Sequence, residues 1–148
     1  MILGIGVDIV EIDKLRLAMI RRGERLRDRA FTPAEIEYCE GRANKFQHYS
    51  ARFAAKEATS KALGTGIRGI RWREMEVIAN QRGKPVLILH GSAAERAALL
   101  GLVHFDVSLT HSRTDAIAFV VGLKHTGATD ANFRAMDCEE EVDSPERS

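Results

Sequence analysis

Asp8 stands inside the apolar run Ile5-Gly6-Val7-Asp8-Ile9-Val10. A carboxylate among such neighbours is costly unless a cation or hydrogen-bond donors meet it. Two readings are open from the residue alone: an edge-of-sheet aspartate capping a turn or paired with an arginine, or a ligand. Glu57 lies in Phe53-Ala54-Ala55-Lys56-Glu57-Ala58-Thr59-Ser60-Lys61-Ala62-Leu63-Gly64. Glu57 and Lys61 are four apart, so they share a helical face in the favourable order. As an exposed ion pair they would contribute only about 0.2–0.5 kcal/mol. The alanines around them indicate a closely packed helix, where a charged pair is less easily surface decoration. If Asp8 and Glu57 converge, they offer two hard oxygen ligands of the kind Mg²⁺ takes beside waters and phosphate oxygens. His111 follows the apolar stretch Val103–Leu109 and precedes Ser112-Arg113. It is either a satisfied strand-end histidine or, with Ser108, Thr110 and Ser112, a source of donors to an anion.

Other chemistries find no support. No second histidine stands at zinc-ligand spacing from His111. Gly4-Ile5-Gly6 lacks the third glycine and helix start of a dinucleotide fingerprint. Gly64-Thr65-Gly66 lacks the lysine of a phosphate-binding loop and ends a helix rather than opening one.

The elements that must position these residues are readable from periodicity and punctuation. Ile2 to Val10 reads as a buried strand, and its glycines mark close approach of another backbone or a ligand. A helical stretch runs from about Glu11 to Asp28, with Ile12, Leu15, Met19 and Leu26 on its buried face and Gly23 as a break or bend. Thr32-Pro33-Ala34-Glu35 is a capping box with proline at the first helical position. A longer helix from about Phe46 to Leu63 follows, with alanines at 51, 54, 55, 58 and 62. Trp72 to Ala79 and Pro85 to Leu89 read as strands joined by a turn-rich segment. Ser92-Ala93-Ala94-Glu95 is a second capping box opening a short helix to about Leu100. Strands at roughly His104–Thr110 and Asp115–Gly122 close the folded part. The mixture predicts an α+β fold: a largely antiparallel sheet packed with a long central helix. The expected division is a domain over residues 1–123 and an acidic, flexible tail over 124–148.

A chain of 148 residues, 45% hydrophobic and 29% charged, suits one domain with its own core. Cys39 and Cys138 form neither a CxxC pair nor a disulfide framework, which points to a reducing, cytoplasmic setting. The N-terminus lacks the basic region and cleavage site of a signal peptide. No apolar run reaches the roughly 18–20 residues of a membrane span. The formal net charge of +1 conceals a split: residues 124–148 hold three basic and seven acidic residues, net −4, and the rest hold 19 and 14, net +5. Lys14, Arg16, Arg21, Arg22, Arg25, Arg27 and Arg29 against Glu24 and Asp28 account for that excess. The segment is a solvated face or a dock for an acidic partner. Nucleic acid would fit the sign, but the segment contains no aromatic stacking group, which counts against single-strand binding.

Gly4-Ile5-Gly6-Val7-Asp8-Ile9-Val10-Glu11-Ile12, Phe53-Ala54-Ala55-Lys56-Glu57-Ala58 through Lys61-Ala62-Leu63-Gly64, and Val107-Ser108-Leu109-Thr110-His111-Ser112 closely resemble the holo-[acyl-carrier-protein] synthase family. These are the small, single-domain 4′-phosphopantetheinyl transferases. With Trp72 to Val77 and Gly83-Lys84-Pro85, the resemblance spans residues 1 to about 123. Thr110 stands where serine is common and Glu74 where aspartate is more usual, both keeping their chemistry.

The resemblance implies transfer of the phosphopantetheine arm of coenzyme A to a serine of an acidic acyl carrier protein, with release of adenosine 3′,5′-bisphosphate. It implies Asp8 and Glu57 as Mg²⁺ ligands and Asp8, Glu57 and Lys61 as the catalytic group. Arg52, Lys61, Gly64, Gly83, Lys84, Pro85 and His111 would bind coenzyme A. The family is typically a homotrimer with the site between subunits. Lys14, Arg21, Arg22 and Arg25 would then dock the carrier, with neither nucleic acid nor membrane as partner. The alternative is a small basic nucleic-acid or protein binding module without catalysis.

Overall fold

In a computed structural model, described here for residues 2–124, the chain forms an α+β fold with two antiparallel sheets. Strand β1 (Ile2–Glu11) pairs antiparallel with β5 (Asp115–Lys124), which pairs on its other side with β4 (Leu102–His111), in the order β1-β5-β4. A separate hairpin joins β2 (Met75–Ala79) to β3 (Pro85–Leu89).

Helix α4 (Lys45–Ala62) lies across the three-stranded sheet. Ala54, Ala55, Ala58 and Ala62 meet Val107, Ala118 and Val120 in one core cluster. Ten of its eighteen residues are buried, so it is enclosed on more than the sheet side. The pleat of β1 sorts its residues: Gly4, Gly6, Asp8 and Val10 point toward α4, and Leu3, Ile5, Val7 and Ile9 point out. A Cβ on Gly6 would collide with the backbone carbonyl of Ala58. The close approach expected of the β1 glycines is therefore a backbone crossing a helix.

Helices α1 (Ile12–Arg22) and α2 (Glu24–Ala30) are separated at Gly23, whose φ of 60° no helix accommodates. Leu15 and Met19 are buried as expected; Ile12 and Leu26 are only half-buried. Leu15, Met19 and Leu26 pack with Phe31, Cys39 and Tyr49 beside α3 (Pro33–Glu40), whose Thr32–Glu35 capping box is fully formed. Helix α5 (Gly91–Leu100) closes a third cluster with Leu63, Met75 and Leu102.

Two local expectations need correction. Trp72–Glu74 is a 3₁₀ turn rather than the start of a strand, and β2 begins at Met75. Helix α5 does not use the Ser92–Glu95 box: it starts two residues earlier, with His90 at its N-cap and no side-chain cap. A distant carboxylate takes the capping role, since Glu74 Oε1 accepts from the Ser92 backbone N–H at 3.2 Å. No described helix is long and apolar enough to cross a membrane. The expected acidic tail lies outside the described residues.

Candidate functional site

Most of the residues expected to bind metal or coenzyme A fall into two places. The first is the seam between β1 and α4. Asp8 projects from the helix-facing side of β1, and Lys61 reaches it from the last turn of α4: its Nζ donates to Asp8 Oδ1 at 3.0 Å and to the Val7 carbonyl at 2.9 Å. Asp8 is thus an aspartate on an edge strand met by a cation, and the cation is a lysine. Lys61 makes no ion pair with Glu57 among the described residues, so the i,i+4 pair legible in the sequence does not form. Glu57, one turn earlier, instead accepts at Oε1 from the Trp72 indole N–H at 3.2 Å.

Asp8 Oδ2 and Glu57 Oε2 carry no hydrogen bond among the described residues. Two hard carboxylates with uncommitted oxygens fit Mg²⁺, which keeps several waters and takes substrate phosphates. Among the described residues no three histidine, cysteine, aspartate or glutamate side chains gather as a metal-binding group, which disfavours a closed zinc site.

The lysine beside Glu57 has a different task. Lys56 is completely buried, and its Nζ donates to Glu35 Oε1 at 2.7 Å, to the Met75 carbonyl at 2.7 Å and to the Trp72 carbonyl at 3.1 Å. Glu35 also accepts from the backbone N–H groups of Thr32 and Val77. Burial pushes Lys56 below the ordinary lysine range, and the Glu35 charge and hydrogen bond oppose that push. This pair ties α3, α4 and the Trp72–Met75 segment together. Lys56→Met is expected to destabilise the fold by about 3 kcal/mol, because it strands the Glu35 carboxylate in the interior. Urea denaturation measures this.

The second place is a cavity of about 640 Å³ between α4, the edge strand β4 and the turn before β3. Arg52, Gly83, Lys84, Pro85 and His111 all line it. Arg52 is 4% exposed; its Nε donates to the Val77 carbonyl at 3.2 Å, and its guanidinium lies 4.0 Å from the centre of the Tyr38 ring. Rigid, with its terminal nitrogens in no described hydrogen bond, it is suited to an anion. Lys84 sits 3.9 Å from Asp106. Ser108 and Thr110 line the cavity, whereas Ser112 accepts backbone N–H bonds from Thr114 and Asp115.

Sequence reasoning missed Tyr38, Gln47 and His48, which also line the cavity. Burial first, then Arg52, Arg42 and His111, push His48 below the usual imidazole range. The signal was there in α4: positions 48 and 52 are four apart on one face.

None of Asp8, Glu57 and Lys61 lines this cavity. Gly64 lies outside both places, just past the end of α4, its N–H donating to the Lys61 carbonyl. Lys14, Arg21, Arg22 and Arg25 are exposed on α1 and α2 and make no ion pair among the described residues; Arg16 and Arg27 are paired locally with Asp13, Glu24 and Asp28. Leu17 and Ile20, 53% and 62% exposed, lie among those basic residues on α1.

A family model described as 4′-phosphopantetheinyl transferase superfamily matches residues 4–120. A holo-[acyl-carrier-protein] synthase of Solibacter usitatus is 48% identical over 122 residues, which are 82% of this chain and 98% of that protein. The crystal structure of holo-[acyl-carrier-protein] synthase from Neisseria meningitidis superposes with a TM-score of 0.78 at 31% identity, over 84% of this chain and 100% of that one. The Helicobacter pylori synthase, solved in complex with coenzyme A, gives 0.72 at 28% identity over 80% and 99%.

Proposed function

The chain belongs to the 4′-phosphopantetheinyl transferase superfamily, with holo-[acyl-carrier-protein] synthases as its relatives, and from that premise we propose that it transfers phosphopantetheine from coenzyme A to a serine of an acyl carrier protein. The serine hydroxyl gives its proton to a basic group of the site and its oxygen bonds to the phosphorus carrying the pantetheine arm. The bond from that phosphorus to the oxygen bridging the two phosphates breaks, and adenosine 3′,5′-bisphosphate leaves.

Such a displacement needs charge neutralisation more than covalent help from the protein. Asp8 and Glu57 are the residues that would hold Mg²⁺, which when bound neutralises the pyrophosphate and its departing oxygen. Lys61 is a half-exposed ammonium on Asp8 and can donate to a phosphate oxygen instead. Arg52 is the fixed cation for the 3′-phosphate. Lys84 and His111 add donors along the nucleotide, with Gly83 and Pro85 shaping the wall.

One observation carries the assembly: the carboxylates and the nucleotide cavity do not meet within one chain. The outward face of β1 is apolar and uncovered, with Ile5 and Ile9 58% and 60% exposed and Phe119 of β5 beside them. Such a face marks an interface. In a homotrimer closed over it, the cavity of one protomer would adjoin the Asp8–Glu57 pair of the next. The basic α1–α2 surface is complementary to an acidic carrier, with Leu17 and Ile20 as apolar anchors among the charges. The reducing cytoplasm is the fitting compartment, residues 1–123 being the catalytic domain and 124–148 an appended acidic segment.

Incubating the chain with apo acyl carrier protein, coenzyme A and Mg²⁺ tests this, with intact-mass measurement of the carrier. A phosphopantetheine adduct on the carrier serine is expected. No adduct on any of several bacterial carriers would overturn the proposal and return the basic-module reading.

A further inference from the structure

Trp72 is the only tryptophan in the chain, and its indole N–H is the sole described hydrogen-bond partner of the Glu57 side chain. Its position is determined from several sides. The backbone carbonyl of Trp72 is held by the buried Lys56 ammonium at 3.1 Å, and that ammonium is anchored in turn by Glu35 and Met75. The indole lies 5.4 Å from the Phe53 ring, centre to centre, and the Arg29 guanidinium sits 5.9 Å from its centre. A half-buried glutamate on a helix otherwise has three side-chain torsions to order, at a cost of about 1.5–2 kcal/mol if all are frozen. A donor fixed by a rigid frame removes much of that freedom before any ligand arrives. An N–H on Oε1 also leaves Oε2 as the oxygen open to a cation.

We propose that Trp72 is a positioning residue for Glu57: its indole N–H, held in place by the buried Lys56–Glu35 pair, presents the carboxylate in one orientation for the divalent cation. This rests on the assignment of Asp8 and Glu57 as the Mg²⁺ ligands. A hydrogen bond from a supporting residue to a metal-binding side chain commonly governs affinity by about 10–100-fold when lost.

The test uses the full-length chain with coenzyme A present and three proteins: wild type, Trp72→Phe and Glu57→Gln. Phenylalanine keeps an aromatic ring at this position and removes the donor together with the second ring of the indole. Binding of Mn²⁺ is read directly by electron paramagnetic resonance of the free ion. Trp72→Phe is expected to bind it about tenfold more weakly, and to recover most of its kcat when Mg²⁺ is raised to saturation. A merely structural tryptophan would lower kcat at every Mg²⁺ concentration. The single indole N–H resonance supplies a measurement needing no variant: in ¹⁵N-labelled wild type, Mn²⁺ is expected to broaden it selectively.

Weakened binding in Glu57→Gln with unchanged binding in Trp72→Phe would overturn the positioning role and leave the metal site standing. Unchanged binding in both would overturn the metal assignment and this inference with it. If Trp72→Phe does not fold, the indole resonance decides: no broadening while Mn²⁺ is bound overturns the role.

Discussion

Glu57→Gln and Asp8→Asn are each expected to lower phosphopantetheine transfer by about 10³-fold at saturating coenzyme A and carrier, with the fold retained. Both changes are close to isosteric and remove a negative charge while keeping an oxygen acceptor. Stability should hardly move. Glutamine at 57 can still accept from the Trp72 indole, and asparagine at 8 can still accept from Lys61. What is lost is half of the anionic charge available to a divalent cation. Removing one preorganised electrostatic contributor at a reacting centre costs on the order of 10²–10³ in rate, and weaker metal binding adds to it. Initial rates of carrier modification across a Mg²⁺ series, with thermal melts of each variant, measure this. A variant that melts like wild type and works at wild-type rate at every Mg²⁺ concentration would disprove the assignment of that carboxylate.

Gly6→Ala is expected to abolish the folded protein. The β1 backbone passes so close to α4 that a methyl group at position 6 would occupy the space of the Ala58 carbonyl oxygen. That oxygen belongs to the backbone of an enclosed helix and cannot rotate aside as a side chain would. Relief requires β1 and α4 to separate along the cluster of Ala54, Ala55, Ala58, Ala118 and Val120. Overpacking against mobile side chains costs about 1–3 kcal/mol; against a fixed backbone the expected cost is about 5 kcal/mol or more, comparable with the whole stability of a small domain. Soluble yield and circular dichroism report it, with Ile5→Ala on the opposite face of β1 as the comparison. A Gly6→Ala protein melting within a few degrees of wild type would refute the crossing as described.

The Lys56–Glu35 pair shows where local reading stopped. Glu35 is legible as the residue that closes a capping box, three positions after Thr32, and does close it, yet it also receives a lysine 21 positions away. Lys56 stands in the same motif as Glu57, and spacing alone does not say which of two neighbouring charges goes inward. Helical rotation of about 100° per residue separates them, and only the surroundings decide which direction is interior. The α5 start is a similar case: a suitable cap was present at Ser92, and a carboxylate from Glu74 displaced it.

What the sequence determined by itself were the features carried by neighbours along the chain. Those were the period of each strand and helix, the Thr32 cap, the break at Gly23, the antiparallel α+β class and the motif residues that mark the family. Their physics acts over a few residues, so their signals are written locally. The tertiary structure alone decided which distant groups meet. It paired Lys61 with Asp8 instead of Glu57, turned Lys56 into the core, set the Trp72 indole on Glu57 and made the helix-facing side of β1 a backbone crossing. It also held Arg52 and His111 in a cavity that the Asp8–Glu57 seam does not reach. Each of these depends on the path of the chain through space, where partners 15 to 54 residues apart compete for the same groups, and burial settles the competition.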